Sequence, residues 1–126
     1  MTEMLLVPET TVRDTGDGPA LRVGDERGFL LLTLGITRTI EKESLNISIW
    51  GSPDGVYWGD KPLCTFPRRF YCGTYQHLLD LSEHGDVKFL RAKWQVNRWG
   101  KSDRKALFTV SLHAQQSLRH ALAASA

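Results

Sequence analysis

The sequence predicts an all-β fold: an antiparallel β-sandwich or jelly roll of about eight strands, followed by a short helical or extended tail. Three observations carry that prediction. Stretches near 29–40, 44–50, 74–81 and 87–96 alternate apolar and polar residues at the period of half-buried strands. Clusters of Gly, Pro, Asp and Ser separate them. At 126 residues and 41% hydrophobic, the chain suits one domain with a real core; we assign the sandwich to residues 1–115 and the tail to 116–126.

The elements follow in order. Residues 4–7 and 21–23 read as short strands around a loop, Arg13 to Pro19, whose Asp14, Asp17 and Gly18 lack the spacing and distal glutamate of an EF-hand and fit a plain Asx-turn. In the next strand Leu30, Leu32, Leu34 and Ile36 share one face, and Phe29, Leu31 and Thr33 the other, so its start is expected to be covered on both sides. Gly35 marks a bulge or a close approach there. Glu41, Lys42 and Glu43 read as a solvated turn.

Leu45, Ile47 and Ile49 then alternate with Asn46, Ser48 and Trp50. Gly51-Ser52-Pro53-Asp54-Gly55 is a strong turn cluster, and Val56, Tyr57 and Trp58 are expected to return as the second strand of a hairpin. Residues 63–66 and 74–81 are further strands. The next, 87–96, sets Leu90, Ala92, Trp94 and Val96 against Arg91, Lys93 and Gln95, with a bulge expected near Phe89-Leu90. Residues 97–105 read as a polar loop, and 107–113 as the last strand, burying Phe108, Val110 and Leu112. In the tail Leu118 and Leu122 fit one helical face, but so short a helix is marginal alone.

The strand-turn-strand around Ser52, Asp54, Gly55 and Trp58 resembles that of discoidin-like domains and other galactose-binding-like jelly rolls. Phe89, Leu90 and Arg91 match a second strand of the same families. Similar units also occur in bacteriophage virion proteins with β-sandwich domains. The resemblance covers about half the chain, and its motifs are structural. It implies a jelly roll and a binding or assembly role.

Chemistry-bearing patterns are sparse. His77, His84, His113 and His120 have no metal-ligand spacing with each other or with Cys64 and Cys72. No nucleophile elbow or phosphate loop is present; Gly51-Ser52-Pro53-Asp54-Gly55 leads into a strand, not a helix. Asn46-Ile47-Ser48 is a glycosylation sequon inside a strand. We expect no enzyme, no cofactor and no metal. Cys64 and Cys72 flank a Pro-Arg-Arg turn that could bring them within disulfide reach, though reduced, packed thiols are the favoured reading.

Net charge is only +2, which sets up no strong global field, yet the second half is basic. The candidate site is its basic-aromatic loops: Arg68, Arg69 and Tyr71, beside Phe70, in one, and Arg98, Trp99, Lys101 and Arg104 in the other. Arginine with exposed tryptophan suits a protein hot spot, a sugar platform, or stacked single-stranded nucleic acid. The leading expectation is a non-enzymatic module that assembles with itself or another protein, as in a virion or similar particle. A carbohydrate-binding module using Trp58, Tyr71 and Trp99 is the alternative. Single-stranded nucleic-acid binding ranks below both. No apolar run is long enough to span a bilayer, and the N-terminus lacks a basic signal-peptide region, so a cytoplasmic or virion location and no membrane partner are expected.

Overall fold

The computed structural model describes residues 3–23, 28–40, 42–99 and 106–116. Among them run nine strands: β1 (Glu3–Val12), β2 (Gly16–Asp17), β3 (Leu21–Arg22), β4 (Phe29–Thr39), β5 (Glu43–Ser52), β6 (Cys64–Thr65), β7 (Gly73–Asp80), β8 (Phe89–Arg98) and β9 (Phe108–Gln116). They form two antiparallel sheets, ordered β1-β9-β4-β7 and β2-β8-β5-β6, with β3 also paired to β8. Taking β2 and β3 as one interrupted strand, the sheets hold strands 1-8-3-6 and 2-7-4-5, the order of a jelly roll.

This winding carries the chain between sheets again and again, so it sorts the connections to two opposite ends. At one end Glu43 faces Arg98, Phe108 faces both Val12 and Thr39, and Leu45 bridges to Arg69. At the other, Ser52 faces Phe89 and Phe29 faces Asp80. The length of β5, roughly 30 Å at strand rise, separates them.

The alternation that predicted the strands is the alternation that fills the core. Leu30, Leu32, Leu34 and Ile36 of β4 meet Leu45, Ile47 and Ile49 of β5, with Leu90 and Ala92 of β8 and Phe108, Val110 and Leu112 of β9. Phe29, Leu31 and Thr33 are half-buried on the other face of β4, as expected for a strand flanked by β7 and β9. On β1, register shifts between Leu5 and Val7 turn both Leu6 and Val7 inward, and Pro8 is tolerated because β1 is an edge strand. Residue Phe89 is registered opposite Ser52, while the Ser52 carbonyl accepts the Lys88 N–H at 2.8 Å. The register is unbroken through Leu90 and Phe89, so the irregularity implied by Val87 and Leu90 both turning inward lies one step earlier than the expected Phe89-Leu90 position, between Val87 and Phe89.

Four expectations are corrected. Val56 to Trp58 do not return along β5. The Asp54 carboxylate takes the N–H groups of Val56 and Tyr57, each at 2.9 Å, so they are spent on the turn, and the partner beside β5 is Cys64–Thr65 of β6. The 13–19 loop contains β2, where Gly16 and Asp17 pair with Trp94 and Lys93. Asn97 and Arg98 extend β8 opposite Ser44 and Glu43 instead of opening a loop. The fourth correction is Glu43. It is 1% exposed, not part of a solvated turn. The expected tail, 116–126, lies outside the described residues beyond Gln116.

Glu43 opens β5 just after the chain crosses from the first sheet to the second. Its Oε2 accepts the Thr39 hydroxyl at 2.6 Å and the Ile40 N–H at 2.8 Å, while Oε1 accepts the Leu107 N–H at 2.7 Å. A buried carboxylate persists only where donors replace its water; here three do, from the end of β4 and the entry to β9. Glu43→Ala should lower unfolding free energy by about 3 kcal/mol, since it leaves buried donors unmet, read by urea denaturation. A change under about 1 kcal/mol would show that the carboxylate is dispensable.

Candidate functional site

At the end where Glu43 sits, the two basic-aromatic loops meet. The 66–72 connection is fixed by a two-bond bridge: Leu45 N–H donates to the Arg69 carbonyl at 2.8 Å, and Arg69 N–H to the Leu45 carbonyl at 2.9 Å. The Arg69 guanidinium lies 4.0 Å from the Tyr75 ring centroid, and the Tyr75 hydroxyl donates to the Tyr71 carbonyl at 2.8 Å. Across from it, Trp99 N–H donates to the Lys42 carbonyl at 3.0 Å, so Trp99 leaves β8 against the turn that Glu43 holds.

The Phe70 ring joins the loops. It meets Trp99 edge-on at 6.2 Å and Tyr71 at a tilt, also 6.2 Å. Phe70, Tyr71 and Trp99 are 39%, 76% and 56% exposed. Exposed Arg68 and half-buried Arg69 and Arg98 flank them. Of the sequence-predicted site, the structure thus brings Arg68, Arg69, Tyr71, Arg98 and Trp99 to one end; Lys101 and Arg104 lie outside the described residues. Chemically the described part of this rim offers aromatic faces and guanidinium donors.

Trp58 is elsewhere. It belongs to the opposite end, where Ser52 Oγ accepts the Asp54 and Gly55 N–H groups at 3.2 and 2.8 Å and donates to Asp54 Oδ1 at 3.1 Å. The Tyr57 N–H most of all, then the Val56 N–H and the Ser52 hydroxyl, hold the Asp54 carboxyl below the ordinary aspartate value. Gly55 takes φ +81°, and a Cβ there would touch the Phe89 ring. Gly51 is required for space: a Cβ would lie 2.8 Å from Leu63 and 2.9 Å from Val87. The Arg91 guanidinium stands 4.8 Å from the Trp58 ring. The two segments that carry the discoidin resemblance are therefore in contact.

The outer face of the second sheet holds an open groove of about 510 Å³ that sequence reading did not single out. Cross-strand register sets Asp17, Lys93, Ser48 and Thr65 in a row across β2, β8, β5 and β6. Trp50 lines it with Asn46 and Gln95, whereas the Trp94 side chain packs on the core, on the face it shares with Ile47 and Ala92. The Trp50 indole N–H donates to Ser48 Oγ at 2.9 Å, and Lys93 Nζ lies 4.3 Å from its ring centroid. Strand parity alone places Asn46, Ser48 and Trp50 outward; finding the groove needs the β5–β8 pairing, which joins distant segments.

His77 packs its ring 5.8 Å from Phe66, and His120 lies outside the described residues. Among the described residues no group of three or more His, Cys, Asp or Glu is placed to hold a metal ion, and no helix is long and apolar enough to cross a membrane. Cys64 and Cys72 are free thiols, on β6 of one sheet and at the entry to β7 of the other. Burial pushes the Cys64 thiol up to about 11, whereas Cys72 is exposed. At pH 8 a disulfide-exchange reagent should therefore label one thiol per native chain quickly and two after unfolding. Two fast thiols, or none, would contradict this arrangement.

Set beside known proteins, the chain matches no family model, and no curated protein matches it.

Proposed function

We propose that the protein is a non-enzymatic assembly module that docks protein partners, copies of itself or another chain, through the Tyr71–Phe70–Trp99 rim. The observation that carries this reading is three ring-to-ring contacting aromatics left exposed on a well-anchored end and flanked by arginines. Tyr, Trp and Arg dominate protein hot spots because they combine large apolar area with directional donors. Rigid anchoring by Arg69, Tyr75 and Lys42 lowers the ordering cost of docking. A cytoplasmic or virion setting, as a particle component, fits this role. Native mass spectrometry should find the isolated protein in a complex, and Trp99→Ala with Tyr71→Ala should weaken it by about 30-fold or more. A lone monomer with no partner recovered from its host, or a complex indifferent to both substitutions, would refute the reading.

A second reading rests on the groove. We propose that the jelly roll is of the galactose-binding-like, discoidin type, supported by the contact between the Ser52–Trp58 turn and Phe89–Arg91, and that a neutral sugar lies against the Trp50 indole on the outer face of the second sheet. Indole faces pack against sugar C–H groups, while Asn46, Ser48, Thr65 and Gln95 supply uncharged donors and acceptors. The test is a glycan array followed by titration. A sugar ligand whose affinity falls at least about tenfold in Trp50→Ala, with Trp99→Ala neutral, is expected. No glycan response removes this reading and leaves the rim untouched. Single-stranded nucleic acid ranks third: the rim has stacking rings and cations, and this reading requires an affinity that falls steeply with salt.

A further inference from the structure

Among the described residues the two ends of the jelly roll differ in charge, and both carry exposed apolar side chains. Six large apolar side chains stand exposed among the described residues: Phe70, Tyr71 and Trp99 at the rim, Val56 and Tyr57 in the 53–63 connection at the far end, and Leu5 on the edge strand β1. Five of the six thus sit at opposite ends of one axis. Around the rim lie Arg13, Lys42, Arg68, Arg69 and Arg98, against exposed Asp14 and the buried Glu43. Around Val56 and Tyr57 lie exposed Asp54, Asp60, Glu83 and Asp86, with Arg22, Lys61 and Lys88.

We propose that the rim docks on the acidic far end of a second copy of this chain, so that molecules associate head to tail. The proposal rests on the assembly reading above and names its partner. Charge complementarity favours it: rim against rim would bring arginines together, and far end against far end would bring carboxylates together, whereas rim against far end pairs opposite signs around two apolar tips. Unlike a two-fold interface, this contact uses two different patches. Each copy keeps one free docking end, so the association closes as a ring or continues as a filament.

The experiment mixes two blocked variants. Arg68→Glu with Tyr71→Ser disables the rim. Asp60→Lys with Asp86→Lys disables the far end. All four residues are exposed. In analytical ultracentrifugation the unaltered chain should self-associate, with affinity falling about tenfold or more between 50 and 500 mM salt as screening sets in. Each variant alone should be monomeric. Their equimolar mixture should form dimers and nothing larger, because only one complementary pair of ends remains. The proposal is overturned if the unaltered chain stays monomeric at about 100 μM in low salt, a range that detects any Kd of physiological interest. It also falls if either variant alone associates like the unaltered chain, or if the mixture stays monomeric. A monomeric chain that still binds a different protein through Trp99 would refute head-to-tail association and keep the assembly reading; absence of both would refute both.

Discussion

One buried carboxylate holds the corner on which this jelly roll turns. Glu43 stands where the chain leaves the first sheet and enters the second, and it bonds the Thr39 hydroxyl and the Ile40 and Leu107 N–H groups. Those amides lie outside the strand ladders, at a place where apolar packing would strand them without partners. A single acceptor with two oxygens satisfies them together. It joins residues 64 positions apart in sequence, an end of β4 and the approach to β9, at the cost of desolvating a charge.

The consequence for function is positional. Arg98 faces Glu43 across the sheet, and Trp99 hangs from the carbonyl of Lys42, the residue before it. Arg69 is bridged to Leu45, two residues after it. Arg69, Arg98 and Trp99 are therefore each paired through the backbone with a residue within two positions of Glu43. The jelly-roll winding does the rest, since it returns alternate connections to this end and sends the others to the far one. The basic-aromatic rim at one end and the exposed Val56 and Tyr57 at the other are thus kept apart by topology.

Much of this fold was legible because strand parity is a local property. The faces of β4, β5, β8 and β9 read directly from Leu30 to Ile36, Leu45 to Ile49, Leu90 to Ala92 and Phe108 to Leu112. The return of the hairpin did not, because Val56 and Tyr57 have strand-like side chains but amides committed to Asp54. Turn bonds of that kind outweigh β-propensity, which reflects packing more than backbone preference. Glu43 was hidden for a related reason: Glu-Lys-Glu is composed like a solvated turn, and its Leu107 donor is far along the chain. The rim residues were found from composition, whereas their convergence through Phe70, and the Trp50 groove, depended on pairings between distant strands.

Hydrogen exchange at two amides tests the Glu43 corner most directly. Ile40 and Leu107 belong to no strand, so without the carboxylate their N–H groups would exchange as loop amides do. If Glu43 holds the corner, both should exchange only through opening as costly as that of the core amides of β4 and β9. Exchange of either within the time of exposed loop amides, in a protein whose β4 and β9 remain protected, would contradict the account.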